Sequence, residues 1–231
     1  MLRSPTGTGK TLGFLLPILK HLEPENREVQ AVILAPTREL ALQIESVVKS
    51  MKISYKVNCC YGGHPVRIEK RNLSQPPAIL IATPGRLADH IHRQNISLRQ
   101  AKMLVLDEFD KSLEIGFESE MSEIIEALPA VEKKILTSAT NEVDIPDFVE
   151  LEYPKVINYL GEGVAKLKIK AILSPSKDKL ETLVDLLQHL GNQPGIIFCN
   201  LKDSIQHVSD FFTKNSLIHL NLFLRIAFRW R

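Results

Sequence analysis

Long apolar runs are missing from this 231-residue chain, so it offers no stretch able to span a bilayer. No signal peptide opens it either. Cysteine is scarce: Cys59, Cys60 and Cys199 make an odd set of three with no CxxC pair, which argues against a disulfide framework and for a reducing compartment. Cys59 and Cys60 sit in an apolar run and read as strand residues. Charge of one sign is missing too. A net charge of +2 excludes a strongly basic coat but leaves room for a local basic groove. Repeats and low-complexity segments are absent. What remains, 44% hydrophobic and 24% charged residues, is the composition of a globular protein with a sizeable core. The expectation is a soluble intracellular protein, cytoplasmic with the nucleus left open, and not attached to membrane.

The apolar residues come in short β-branched runs: "VQAVILAPT", "KVNCCYGG", "AILIATP", "KMLVLDEFD" and "KKILTSAT". Near-continuous apolar runs ending in a polar cluster fit parallel strands buried on both faces. Helical periods lie between them. Leu40, Ile44, Val47 and Val48 share one face, and Leu113, Phe117, Met121, Ile125 and Leu128 share another. The alternation predicts an α/β domain with a parallel sheet. Pro17 inside "LGFLLPILKHL" predicts a helix kinked at that point. Thr37, Gly62, Gly63, Thr83, Asp107, Glu108 and Thr140 all fall at strand carboxyl ends, where open α/β sheets bind ligands.

The rhythm weakens after "SAT". A last strand is expected near Val156 to Tyr159, closing a first domain over residues 1–159. A linker then covers 160–167, and a second unit over 168–231 opens with "KIKAIL". That unit continues with a helix through Leu180, Leu183, Leu187 and Leu190, the strand "GIIFCN", and a helix with Ile205, Val208 and Phe212. The tail "LIHLNLFLRIAFRWR" alternates apolar residues and allows an amphipathic strand.

Three signals carry chemistry. The first is the loop Ser4-Pro5-Thr6-Gly7-Thr8-Gly9-Lys10-Thr11. Gly7 and Gly9 let backbone N–H groups turn onto phosphate oxygens, Lys10 would reach the β- and γ-phosphates, and the Thr11 hydroxyl would bind Mg²⁺. Ser4 stands where such loops usually carry their first glycine. A loop of this kind needs a strand before it, yet only Met1, Leu2 and Arg3 precede it. The second signal is "MLVLDEFD", which places Asp107 to hold Mg²⁺ through water and Glu108 to orient and deprotonate an attacking water. The third is the set "APTREL", "YGG", "TPGR" and "SAT", in order around the other two. Of the seven histidines only His90 and His92 are close in sequence; that spacing alone makes no metal site, and both read as residues of a surface helix.

With these motifs together, the chain from Ser4 to about His219 resembles a DEAD-box RNA helicase. The resemblance implies RecA-like P-loop NTPase lobes, ATP and Mg²⁺ as cofactors, and RNA held through its backbone without sequence preference. It implies nucleotide contacts from Thr6, Gly7, Thr8, Gly9, Lys10 and Thr11, with Lys10, Asp107 and Glu108 catalytic. Thr37, Arg38, Glu39, Gly63, Thr83, Pro84, Gly85 and Arg86 would grip one RNA strand. Asp110, Ser138 and Thr140 would couple hydrolysis to strand separation. The tetrad here is DEFD, so Phe109 replaces a small residue and changes the packing beneath the loop. The family has an adenine-reading glutamine upstream of the loop, and an arginine finger late in its second lobe. Neither is found here, so the expectation is a truncated chain, weak or inactive alone. The rival expectation is a non-catalytic nucleotide- or RNA-binding module. A GTPase fits poorly because "NLKD" interrupts the guanine-reading pattern, and a DNA translocase shares the loop and acids but not the "PTREL" and "TPGR" pairing.

Overall fold

The computed structural model describes residues 1–5, 7–140, 144–151, 154–160, 170–191 and 195–214. Thr6, most of the expected linker and the whole alternating tail from Leu217 lie outside these residues. The chain divides into two units, Met1–Ala165 and Lys166–Arg231.

The first unit is built on a seven-stranded sheet whose pairings are all parallel. In chain order the strands are β1 (Leu2–Arg3), β2 (Ala31–Leu34), β3 (Val57–Cys60), β4 (Ile79–Ala82), β5 (Met103–Leu106), β6 (Lys133–Ser138) and β7 (Ile157–Asn158). Across the sheet they run β3-β4-β2-β5-β6-β1-β7. The five strands expected from the apolar runs are all present, and so is the expected last strand. The short β1 is anchored on both sides: Leu2 pairs with Thr137 and with Ile157, Arg3 with Ser138 and with Asn158. A two-residue strand therefore suffices to seat the loop that follows it.

Side chains along each central strand divide by period two between two cores. Ala31, Ile33, Ile79, Ile81, Met103 and Val105 pack with Phe14, Leu15, Ile18, Ala41, Ile44 and Val48. Val32, Leu34, Leu80, Ala82, Leu104 and Leu106 pack with Leu87, Phe109, Met121, Ile124 and Ile125. Burial on both faces is what a parallel sheet requires. The first core takes helices α1 (Lys10–His21) and α2 (Arg38–Ser50); α3 (Val66–Leu73) follows β3. The second takes α4 (Pro84–His92), α5 (Phe109–Ile115) and α6 (Glu118–Glu126).

Helix α1 runs through Pro17 to His21 as expected, with the proline N–H missing from its ladder. One local expectation changes. The apolar face from Leu113 to Leu128 belongs to two helices rather than one. Gly116, at φ 93°, closes α5 in the left-handed conformation that a side chain resists, and α6 starts two residues later.

In the second unit, α7 (Leu180–Leu190) and α8 (Lys202–Lys214) fall where the sequence periods place them. The strands expected at "KIKAIL" and "GIIFCN" are not formed among the described residues. Leu173 is 94% exposed, Ile196 81% and Phe198 77%, so no sheet face covers these side chains. Extended apolar segments become strands only through a partner ladder, and none of the described residues supplies one. Among the described residues no helix is long and apolar enough to cross a membrane.

Candidate functional site

The strand order sets the site. Because β6 lies between β5 and β1, the loop after β1, the acids after β5 and the "SAT" after β6 emerge side by side at one carboxyl edge. Gly7 (φ 83°) and Gly9 (φ 89°) both adopt the left-handed conformation, and Gly9 caps α1. The loop is tied internally: Ser4 and Thr8 hydroxyls lie 2.5 Å apart, Thr8 Oγ1 donates to the Pro5 carbonyl at 2.8 Å, and Ser4 N–H donates to the Ser138 carbonyl at 3.1 Å. Lys10 opens α1. Its ammonium is buried and has no hydrogen-bond partner among the described residues. A buried cation left in that state is costly, and an oxyanion is the group that would relieve it.

The acids meet that cation from the neighbouring strand. Asp107 is buried, and burial pushes its carboxyl above the usual range against the opposing pull of a hydrogen bond from Thr137 and of the Lys10 charge. Thr137 Oγ1 donates to Asp107 Oδ1 at 2.5 Å and accepts the Glu108 N–H at 3.0 Å. That one hydroxyl orders both acids. Glu108 stands in the left-handed conformation (φ 46°) at the start of α5, a position unfavourable for any residue but glycine. Burial, and then the Asp107 charge, raises its carboxyl too. The raised acids and the unpaired ammonium form a donor set that fits a divalent cation and a polyphosphate. Thr11 and Asp107 are the residues that could hold the metal.

Asp110 faces the other way, onto the end of β6. Its Oδ2 accepts from Ser138 Oγ at 2.9 Å and Thr140 Oγ1 at 3.1 Å. The three residues expected to act together are in contact. Phe109, the large third residue of the tetrad, is fully buried in the second core, so the space below the acids is filled rather than strained open.

The remaining expected residues gather along β2, β3 and β4. Thr37 caps α2 by accepting the Leu40 N–H at 3.3 Å, and Glu39 is exposed in its first turn. Arg38 lies over the Tyr61 ring, 4.9 Å from guanidinium to centroid. Gly63, at φ 85°, lies where an added Cβ would be 3.8 Å from Arg38 Nη1. Thr83 precedes α4, Pro84 fills its first position, and Gly85 follows beside Phe117 and Glu120. Arg86 is not a solvated surface arginine: its side chain is 12% exposed, with Nε on Glu69 Oε2 at 2.6 Å and Nη2 donating to the His64 carbonyl.

His90 departs from expectation. It is fully buried, with Nε2 2.8 Å from Glu69 Oε2, because it follows Arg86 by one turn on the inward face of α4. His92, on the outer face, is exposed and pairs with Glu123. Cys60, Glu69 and His90 bring ligand atoms within 4.8 Å of one another. They do not make a metal site, since Arg86 and His90 already occupy the carboxylate, and burial pushes the Cys60 thiol up to about 12. Cys59, likewise raised to about 12 by burial, is also an unreactive strand residue. Thr137 and Glu69 are the participants the sequence reading missed. Thr137 sits directly before "SAT"; Glu69 carries no motif signal.

A parallel α/β sheet with a glycine loop, an orphaned lysine and paired acids at its carboxyl edge defines a RecA-like P-loop lobe. The family model for the DEAD/DEAH box helicase matches residues 1–148, and the chain belongs to that family. It is 36% identical to the DEAD-box ATP-dependent RNA helicase CshB of Bacillus subtilis (strain 168), over 94% of this chain and 52% of the relative. It is 34% identical to the ATP-dependent RNA helicase eIF4A of Mycosarcoma maydis, over 91% and 53%. The same identity, over 93% and 56%, holds for the ATP-dependent RNA helicase FAL1 of Meyerozyma guilliermondii. The chain thus spans about half the length of the curated relatives it matches.

Proposed function

We propose that residues 1–159 form the nucleotide-binding lobe of an ATP-dependent RNA helicase, and that the helices beyond 167 belong to a second RecA-like unit. The observation that carries the reading is the buried, unpartnered Lys10 ammonium beside two acids raised by burial. ATP is the substrate. Mg²⁺, held by Thr11 and Asp107, neutralises phosphate charge when bound. Thr6, Gly7, Thr8 and Gly9 present backbone donors to the phosphates, and Lys10 supplies the charge that stabilises the γ-phosphoryl oxygens. Glu108 accepts the proton of the attacking water. Burial, and then the Asp107 charge, raises its pKa, which makes its carboxylate a stronger base than that of an exposed glutamate. Asp110 reads the event through Ser138 and Thr140, joining the acids to the strand between them and the phosphate loop.

RNA lies across the β2, β3 and β4 edge. Thr37, Glu39, Thr83, Pro84 and Gly85 shape two helix N-termini there, Gly63 leaves room for a close backbone approach, and Arg38 and Arg86 add charge. All of these groups address phosphate and sugar, so binding is indifferent to base sequence.

The test measures ATP hydrolysis with and without single-stranded RNA, for the chain and its Glu108→Gln variant. The variant is expected to bind nucleotide and RNA as before while losing at least about 100-fold in turnover, the usual contribution of a general base. Equal turnover in the two proteins, above the uncatalysed rate, would remove Glu108 from the mechanism.

A further inference from the structure

We infer that Glu69 is the positioning residue of the RNA grip: one buried carboxylate holds Arg86 directly and Arg38 by way of Tyr61. The inference rests on the RNA reading above and assigns a role to a residue that reading does not use.

Glu69 sits on α3 with its side chain 2% exposed. Burial alone would push its carboxyl up, but hydrogen bonds from His90 and Arg86 outweigh it and hold the group below the usual range. The bonds come from separate parts of the fold. Oε2 accepts Arg86 Nε at 2.6 Å and His90 Nε2 at 2.8 Å, both from α4. Oε1 accepts the Tyr61 N–H at 3.2 Å, from the segment after β3; His64 Nδ1, in the same segment, lies 3.4 Å away without hydrogen-bonding it. Asn95 Nδ2, a donor only, lies 3.1 Å from His90 Nδ1, so that nitrogen accepts and Nε2 carries the proton given to Glu69. The histidine thus contributes a fixed donor.

This arrangement decides what each arginine can do. Arg86 has Nε committed to Glu69 and Nη2 to the His64 carbonyl; the nearest acid to Nη1 is Asp89, at 3.9 Å. With Nε and Nη2 committed, Nη1 is the nitrogen left to face a phosphate, and its direction is fixed by the other two. Tyr61, fixed through its N–H, tilts against His64 at 5.6 Å and carries Arg38 on its ring. Without the carboxylate, Arg86 would be a half-buried cation lacking its partner and Tyr61 would lose its anchor.

Charge and position predict opposite signs, which makes the inference testable. Removing a negative charge near a polyanion site should tighten RNA binding on electrostatic grounds alone. Removing a positioning group should weaken it. The experiment titrates the chain against fluorescent oligouridine at several salt concentrations, for the parent, Glu69→Gln, Arg86→Gln and the double variant. Nucleotide affinity and the thermal melt check folding. Glu69→Gln is expected to weaken RNA binding by about tenfold and to reduce the salt slope by about one phosphate contact. The double variant should lose less than the product of the two single losses, since part of the Glu69 effect runs through the Arg86 guanidinium and the rest through Tyr61 and Arg38. Tighter or unchanged binding by Glu69→Gln, or losses that multiply in the double variant, would overturn the inference. If Glu69→Gln does not melt cooperatively, Arg86→Lys decides: it keeps the charge without the Nε bond and should bind as weakly as Arg86→Gln, whereas parental affinity would refute the role. A parent that binds no RNA sinks the RNA reading itself. The Arg86 Nε–H resonance then tests positioning separately: protected in the parent and lost in Glu69→Gln supports it, and no change contradicts it.

Discussion

Replacing Thr137 with valine keeps the volume of a fully buried side chain and removes one hydroxyl. That hydroxyl makes a charge-assisted bond to Asp107 and accepts the Glu108 N–H, so two buried groups lose their partner at once. A bond to a charged group contributes about 1.5–3 kcal/mol and a neutral one about 1 kcal/mol, giving an expected loss of roughly 2–4 kcal/mol. For a chain of this size that lowers Tm by roughly 4–16 °C. The loss must depend on pH. Burial already raises the Asp107 carboxyl, and the Thr137 bond is the largest influence holding it down, so the variant raises it further. An acid whose folded pKa exceeds its unfolded one contributes stability at low pH that disappears as pH rises through the folded value. Thr137→Val should therefore cost less near pH 4 than above neutrality, because the charge-assisted part of the bond grows as the Asp107 carboxyl ionises. Urea melts at both pH values measure it. A difference under about 0.5 kcal/mol, or one equal at both pH values, would refute the reasoning.

The same acids carry a second expectation: Asp107→Asn removes a buried charge but keeps an acceptor for Thr137, so it should stabilise the ligand-free chain at pH 8 by about 0.5–2 kcal/mol while abolishing the Mg²⁺ dependence of nucleotide binding. A destabilised variant in thermal melts would contradict it. Phe109→Ala, which restores the smaller residue seen in related tetrads, should cost about 3–5 kcal/mol here because the ring is fully buried in the second core. A chemical melt within about 1 kcal/mol of the parent would show that the core collapses to fill the space.

The sheet was legible because its central strands are short, near-continuous apolar runs, and the phosphate loop because glycines and lysine at that spacing have few other uses. The acids were legible only beside that loop, since an acidic helix start after a strand is common, and the Asp110 contact with "SAT" only through the family resemblance. What escaped was juxtaposition. Glu69 meets Arg86 and His90 across 17 and 21 residues of sequence, through two helices whose rotation no local pattern states. His90 and His92 look alike in sequence, yet two positions on a helix face opposite ways. Thr137 reads as an ordinary strand threonine until β6 is placed beside β5. The division at Gly116 was hidden by an apolar period that continues across it. The strands expected at residues 170–173 and 195–200 show the reverse failure, since apolar composition alone does not supply a ladder partner.

The central claim is that the orphaned Lys10 ammonium and the raised acids form one triphosphate site. Calorimetric titration of the chain with ATP, with and without Mg²⁺, tests it directly against Lys10→Ala. The account expects Mg²⁺-dependent binding by the parent and none by the variant, with both proteins melting cooperatively. Binding of equal strength by Lys10→Ala, or parental binding indifferent to Mg²⁺, would contradict it.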